Sequence, residues 1–142
     1  MENIFQLLSD SEIVDDFEIL GLLQDEDFYY LRIKLNIGED SALHIKLYLS
    51  DQEYNYSFHW QKKNGELITR WDNAPNHQEI KTFPHHVHTK DGVKESYSIT
   101  LEDVLRKIKE KKRELCRGPK FWKSSIKTFH EFQLVTVPVP LL

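Results

Sequence analysis

Cysteine occurs once in the 142 residues, at Cys116. A lone thiol excludes an intramolecular disulfide and any cysteine-rich zinc motif, which fits a reducing compartment. No stretch approaches the roughly 18 uninterrupted apolar residues that a membrane span requires. The opening Met1-Glu2-Asn3-Ile4-Phe5 has no basic region ahead of an apolar run, so it does not read as a signal peptide. Internal repeats and low-complexity tracts are also missing. What is left fits a soluble, cytoplasmic protein with no membrane association. With 39% hydrophobic and 12% aromatic residues, the chain can bury a core in one compact domain.

Lysine and arginine are absent from residues 1–27, which carry nine Asp/Glu. Residues 106–127 hold ten Lys/Arg and two Glu, so the overall charge of −4 conceals two strongly opposed segments. Such asymmetry favours attraction between the two segments or binding of a polyanion such as RNA. A solvated basic helix face is the plainer account.

Alternation with period two dominates the first half. Leu31 to Ile37 and Leu43 to Leu49 each place apolar residues on one face, the pattern of a half-buried strand. Phe17 to Leu23 reads as an earlier strand and Tyr54 to Gln61 as a later one. Asn64-Gly65 signals a tight hairpin, because such a turn needs positive φ at its centre. Counting outward with Lys63 opposite Glu66 sets His59 opposite Arg70 and Ser57 opposite Asp72. These four side chains then share one face, and Phe58, Trp60, Thr69 and Trp71 take the other.

From Asn73 to Ser98 the alternation fails, and Pro75, Pro84 and Gly92 interrupt it. The segment reads as a long irregular loop of the functional kind. Four of the seven histidines, His77, His85, His86 and His88, fall within it. Thr100 with Asp103 then resembles a capping box. Leu101, Val104, Leu105, Ile108 and Leu115 lie near one helical face, and Gly118-Pro119 ends the helix. The expected fold is α+β: a mainly antiparallel meander of about five strands, with one amphipathic C-terminal helix near 100–116 on its apolar face. Residues 1–118 form the expected domain. Residues 119–142 are an extension, apolar enough to dock or to support a homodimer.

The run Tyr56-Ser57-Phe58-His59-Trp60-Gln61, the stretch Arg70-Trp71-Asp72-Asn73-Ala74-Pro75-Asn76-His77, the loop Phe83-Pro84-His85-His86-Val87-His88 and the helix start Thr100-Leu101-Glu102-Asp103-Val104-Leu105 occur in that order. Together they resemble the TumE family of small prokaryotic toxins, specifically over residues 54–108 and more loosely over 13–53. The positions that match its motif are His59, Arg70, Asp72, Asn73, Pro75, His77, Pro84, His85, His86 and His88. The resemblance implies the toxin of a type II toxin–antitoxin pair, neutralised by a small helix-turn-helix antitoxin. Action on RNA follows only by analogy with other small toxins of that type.

Metal-free RNA cleavage needs a base for the ribose 2′-OH, an acid for the leaving 5′-oxygen and a cation for the phosphorane. Arg70 suits the phosphate. His59, His86 and His88 suit acid and base, with His85 beside them in the same loop, and Asp72 suits the orientation of an imidazole. Trp71 and Phe83 offer stacking surfaces, Asn73 and His77 polar contacts, and Lys109 and Arg113 a basic face for the backbone. No cofactor is required. A competing reading takes His77, Asp72 and the His-x-His pair as ligands of zinc or manganese in a hydrolase. A binding protein without chemistry is a third. In a purely structural account Arg70 and Asp72 form a surface ion pair, Asn73-Ala74-Pro75 is a turn, and the loop histidines only hold the fold. His44 and His130 read as ordinary surface residues.

Overall fold

In the computed structural model the described residues are 3–117. A short helix, α1 (Ile4–Asp10), is capped by Asn3, whose side chain accepts from the Phe5 and Gln6 amides. Seven strands follow: β1 (Asp16–Gln24), β2 (Phe28–Ile37), β3 (Ser41–Ser50), β4 (Tyr54–Lys62), β5 (Leu67–Asp72), β6 (His86–Thr89) and β7 (Gly92–Glu95). They form one antiparallel sheet in strict chain order. The helix α2 (Leu101–Arg117) comes last. The α+β class with a C-terminal helix is as expected. The strand number is not about five but seven, because the supposed loop over 73–98 contains β6 and β7. There is also a second helix, α1.

The chain divides into two units between Leu105 and Arg106. The strands, α1 and the first residues of α2 belong to the first. One face of its sheet is apolar: Leu31, Ile33, Leu35 and Ile37 of β2, Leu43, Ile45 and Leu47 of β3, Tyr56, Phe58 and Trp60 of β4 and Trp71 of β5 are buried, as are Leu101, Val104 and Leu105. Each such side chain contributes about 1.5–3 kcal/mol by leaving water. A slip of one residue would turn this whole set to solvent, so the core fixes the strand register. The polar face is thereby fixed as well.

The β4–β5 hairpin shows how. Its turn closes from the Gly65 amide to the Lys62 carbonyl at 2.9 Å, with Gly65 at φ 90°. Lys62, not Lys63, faces Glu66 across it, so the turn is one residue longer than the counted one. A register shift between Trp60 and Gln61 absorbs the extra residue, and beyond it His59 faces Arg70 and Ser57 faces Asp72. The counted register therefore holds at these pairs although the turn differs.

Thr100 and Asp103 form the expected capping box: the Asp103 amide donates to Thr100 Oγ1 at 3.2 Å, and the Thr100 amide to Asp103 Oδ2 at 3.1 Å. Ile108 is buried, but Leu115 is 72% exposed and does not join the apolar stripe. No helix among the described residues is long and apolar enough to cross a membrane. The helix stop at Gly118-Pro119, the extension 119–142 and His130 lie outside the described residues.

Candidate active site

Three adjacent strands present the site. His59 of β4, Arg70 of β5 and His88 of β6 are direct cross-strand partners, and Ser57, Asp72 and His86 form the neighbouring row. His77 joins them from the preceding loop. It is the one described non-glycine residue with positive φ, at 62°, a conformation uncommon outside glycine and noteworthy beside polar clusters. Its Nδ1 lies 3.3 Å from Glu79 Oε1, and its ring meets those of His86 and His88 edge-on at 5.0 and 5.4 Å. One ring nitrogen from each of these three histidines lies within 4.8 Å of the others.

Asp72 is the centre of the hydrogen-bond network and is buried. Its Oδ1 accepts from the Ala74 amide at 3.1 Å and pairs with His86 Nε2 at 2.9 Å. Its Oδ2 accepts from Arg70 Nε at 2.9 Å. The other nitrogen of His86, Nδ1, lies 2.8 Å from the Pro84 carbonyl. Both ring nitrogens of a residue only 1% exposed thus face acceptors.

Arg70 also reaches His88, with its terminal nitrogen 3.0 Å from His88 Nε2. A guanidinium can only donate, so this contact is a hydrogen bond when His88 Nε2 carries its lone pair; the same nitrogen lies 3.4 Å from Asp72 Oδ2. The proton affinity agrees. Burial holds the His88 pKa below the usual histidine value, with the Arg70 charge next and Asp72 pulling the other way. Burial and then Arg70 lower His59, and burial and then Lys34 lower His44.

These shifts set a pH dependence of stability. All three histidines bind a proton less tightly folded than unfolded, so the unfolded chain holds more protons below about pH 6.5, and stability rises with pH in that window. Stability is complete above the ordinary histidine value and declines as pH falls through the lowered ones. The urea midpoint is expected to hold between pH 8 and 7 and to drop by pH 5.5. A midpoint unchanged at pH 5.5 would show that these histidines titrate as free ones do.

The remaining expected site residues are dispersed. His85 turns to the apolar side, where its Nδ1 is 2.8 Å from the Tyr56 hydroxyl and the two rings stack at 5.8 Å. Trp71 is 7% exposed on that same side and offers no stacking surface. Asn73 ties β5 to β4: its Nδ2 donates to the Tyr54 carbonyl at 2.6 Å, and its Oδ1 accepts from the Tyr56 amide at 2.9 Å. Phe83 is 40% exposed and available. Lys109 and Arg113 belong to α2, in the second unit.

His44, expected to be an ordinary surface residue, has its ring 6.4 Å from that of His59. Lys46, Tyr48 and Asn55 were given no role from the sequence. These line a cleft of about 470 Å³ together with Ser57, Arg70 and Asp72. The signal was available, since the alternation that placed His59 on the polar face places all of them there.

Searches of curated proteins and of solved structures give no match. The model of a protein family, described as Toxin TumE, matches residues 4–112. That span includes all seven strands and every residue of the Asp72 cluster. The chain belongs to the TumE family of toxins.

Proposed function

We propose that this toxin arrests growth by cleaving RNA at the Arg70–Asp72–His88 cluster without a metal, until a cognate helix-turn-helix antitoxin neutralises it in the cytoplasm. One observation carries the reading. Arg70 donates at once to a buried carboxylate and to a histidine whose proton affinity burial lowers. An arriving phosphodiester competes for the Arg70 terminal N–H groups, and its charge is met by the guanidinium. The lone pair of His88 Nε2 is then released to take the proton of the ribose 2′-OH. The 2′-oxygen attacks phosphorus, the bond to the 5′-oxygen breaks, and a 2′,3′-cyclic phosphate and a 5′-hydroxyl result. His77, at the exposed edge of the cluster, is placed to return a proton to the leaving oxygen. Asp72 and His86 act as positioning residues.

A metal-dependent hydrolase is the second reading, favoured by the 4.8 Å convergence of His77, His86 and His88 and by Nδ1 of His86 facing a carbonyl, as metal-bound histidines do. Against it, a divalent ion there would sit beside the Arg70 guanidinium. A non-catalytic toxin is the third. The test is induced expression with mapping of RNA 5′ ends, comparing the native chain with His88→Ala, and metal analysis of untagged protein. New 5′-hydroxyl ends that vanish in His88→Ala, from protein without stoichiometric metal, are expected. One bound zinc or manganese per chain would favour the second reading. Growth arrest without new ends, surviving in His88→Ala, would leave the third.

A further inference from the structure

The same registers that align the cluster extend across the sheet. Lys34 of β2, His44 of β3, His59, Arg70 and His88 are successive cross-strand partners. Beside this row runs another, Arg32, Lys46, Ser57, Asp72 and His86. Directly paired residues of an antiparallel sheet project to one side, so four permanent cations, four histidines and the Asp72 carboxylate share the polar face. Arg32 and Lys46 are exposed and Lys34 is half-buried. No ion pair engages these three among the described residues. The strand beyond contributes Glu18 opposite Lys34, which ends the cationic row. A third row supplies Tyr30, Tyr48 and Asn55, with Tyr48 stacked on Phe28 at 6.1 Å.

We infer that this face is a track for single-stranded RNA, entering over Arg32 and Lys34 on β2, crossing the strands through Lys46, and delivering its phosphate to Arg70 and His88. The inference rests on the ribonuclease reading for the identity of the strand and adds its path and its single-strandedness. From β2 to β6 there are four inter-strand steps, about 19 Å in all, a span of a few extended nucleotides. Cations spaced along such a line neutralise successive phosphates. Tyr48 and the cleft of about 470 Å³ lined by Arg70 offer one unpaired base a stacking surface and polar lining in Asn55 and Asn76. A base held in a duplex cannot enter that cleft.

The probe is a fluorescein-labelled, unstructured decanucleotide of 2′-O-methyl RNA, which lacks the attacking hydroxyl, tested beside its blunt duplex by anisotropy. The native chain is expected to prefer the single strand at least tenfold. Lys34→Ala/Lys46→Ala is expected to bind about tenfold more weakly and to flatten the slope of log affinity against log salt by about 1.4, at roughly 0.7 per lost phosphate contact. Lys34→Arg/Lys46→Arg should restore both. Lys62→Ala/Lys63→Ala, in the hairpin turn and off both rows, should change neither, and circular dichroism confirms that each variant is folded. Undetectable binding by the native chain, equal binding of the duplex, or equal weakening by the Lys62/Lys63 pair would overturn the track. Binding as described without cleavage of the unmodified strand would leave the track standing and remove the ribonuclease reading.

Discussion

Arg70→Ala is expected to lower RNA cleavage about a hundredfold or more, the scale found when a charge-stabilising donor is removed from a transition state. The side chain is 39% exposed, and Asp72 keeps its Ala74 and His86 partners without it, so the fold should survive. Arg70→Lys should recover little. An ammonium cannot span Asp72 Oδ2 and His88 Nε2 as the guanidinium does at 2.9 and 3.0 Å. The measurement is turnover of a defined oligonucleotide, with melting curves recorded on the same samples. Undiminished cleavage by a folded Arg70→Ala protein would remove Arg70 from the site. NMR titration adds a reading that a merely structural role would not move. With the arginine charge gone, the proton affinities of both His59 and His88 should rise.

His86→Ala is expected to damage stability more than any other single change in the cluster. It leaves the Asp72 carboxylate buried with one partner fewer, and breaking such a pair from one side costs about 3–5 kcal/mol. For a domain of this size that corresponds to a melting temperature lower by 10 °C or more. Removing both partners is expected to cost less than the two single changes together, because no uncompensated buried charge remains. A double-mutant cycle over Asp72→Ala and His86→Ala, read by urea denaturation, checks this. Strict additivity would mean that the 2.9 Å contact carries no coupling. The buried position of His86 also explains why His88, not His86, is the informative residue for testing chemistry. Loss of toxicity in His86→Ala is equally explained by unfolding.

The site was legible in the sequence to the extent that alternation and one turn determine it. Tyr54 to Gln61 alternates strictly and Gly65 marks the hairpin, so His59, Arg70 and Asp72 could be set on one face before any coordinates. The turn was miscounted by a residue, and the result held because the register shift after Trp60 lies between the turn and the site. The strands β6 and β7 were not legible. Each is four residues long, below the length at which periodicity speaks, and β6 offers a single large apolar residue, Val87, opposite Trp71. The Gly92 turn at φ 117° was the available signal, since it closes the β6–β7 hairpin and so marks His86 and His88 as strand residues that can pair with β5. The fate of His85 depended on a different cue. It precedes the strand and turns to the hydroxyl of Tyr56, a side chain on the apolar face of β4. The cationic rows escaped notice because polar positions on a strand are ordinarily solvent-facing filler, and only the register across five strands aligns them.

Strict chain order of the strands has a consequence for how the toxin comes into being. Each strand pairs with the one made just before it, so the sheet can grow by successive hairpins as the chain leaves the ribosome, with little loop-closure cost up to β5 and a longer closure over residues 73–85 before β6. The chemistry does not grow with it. His86 and His88 belong to the sixth strand, and until that strand docks, Asp72 and Arg70 stand on an open edge without the histidines they hold. A nascent or truncated chain that stops before residue 86 has most of the sheet and none of the completed site.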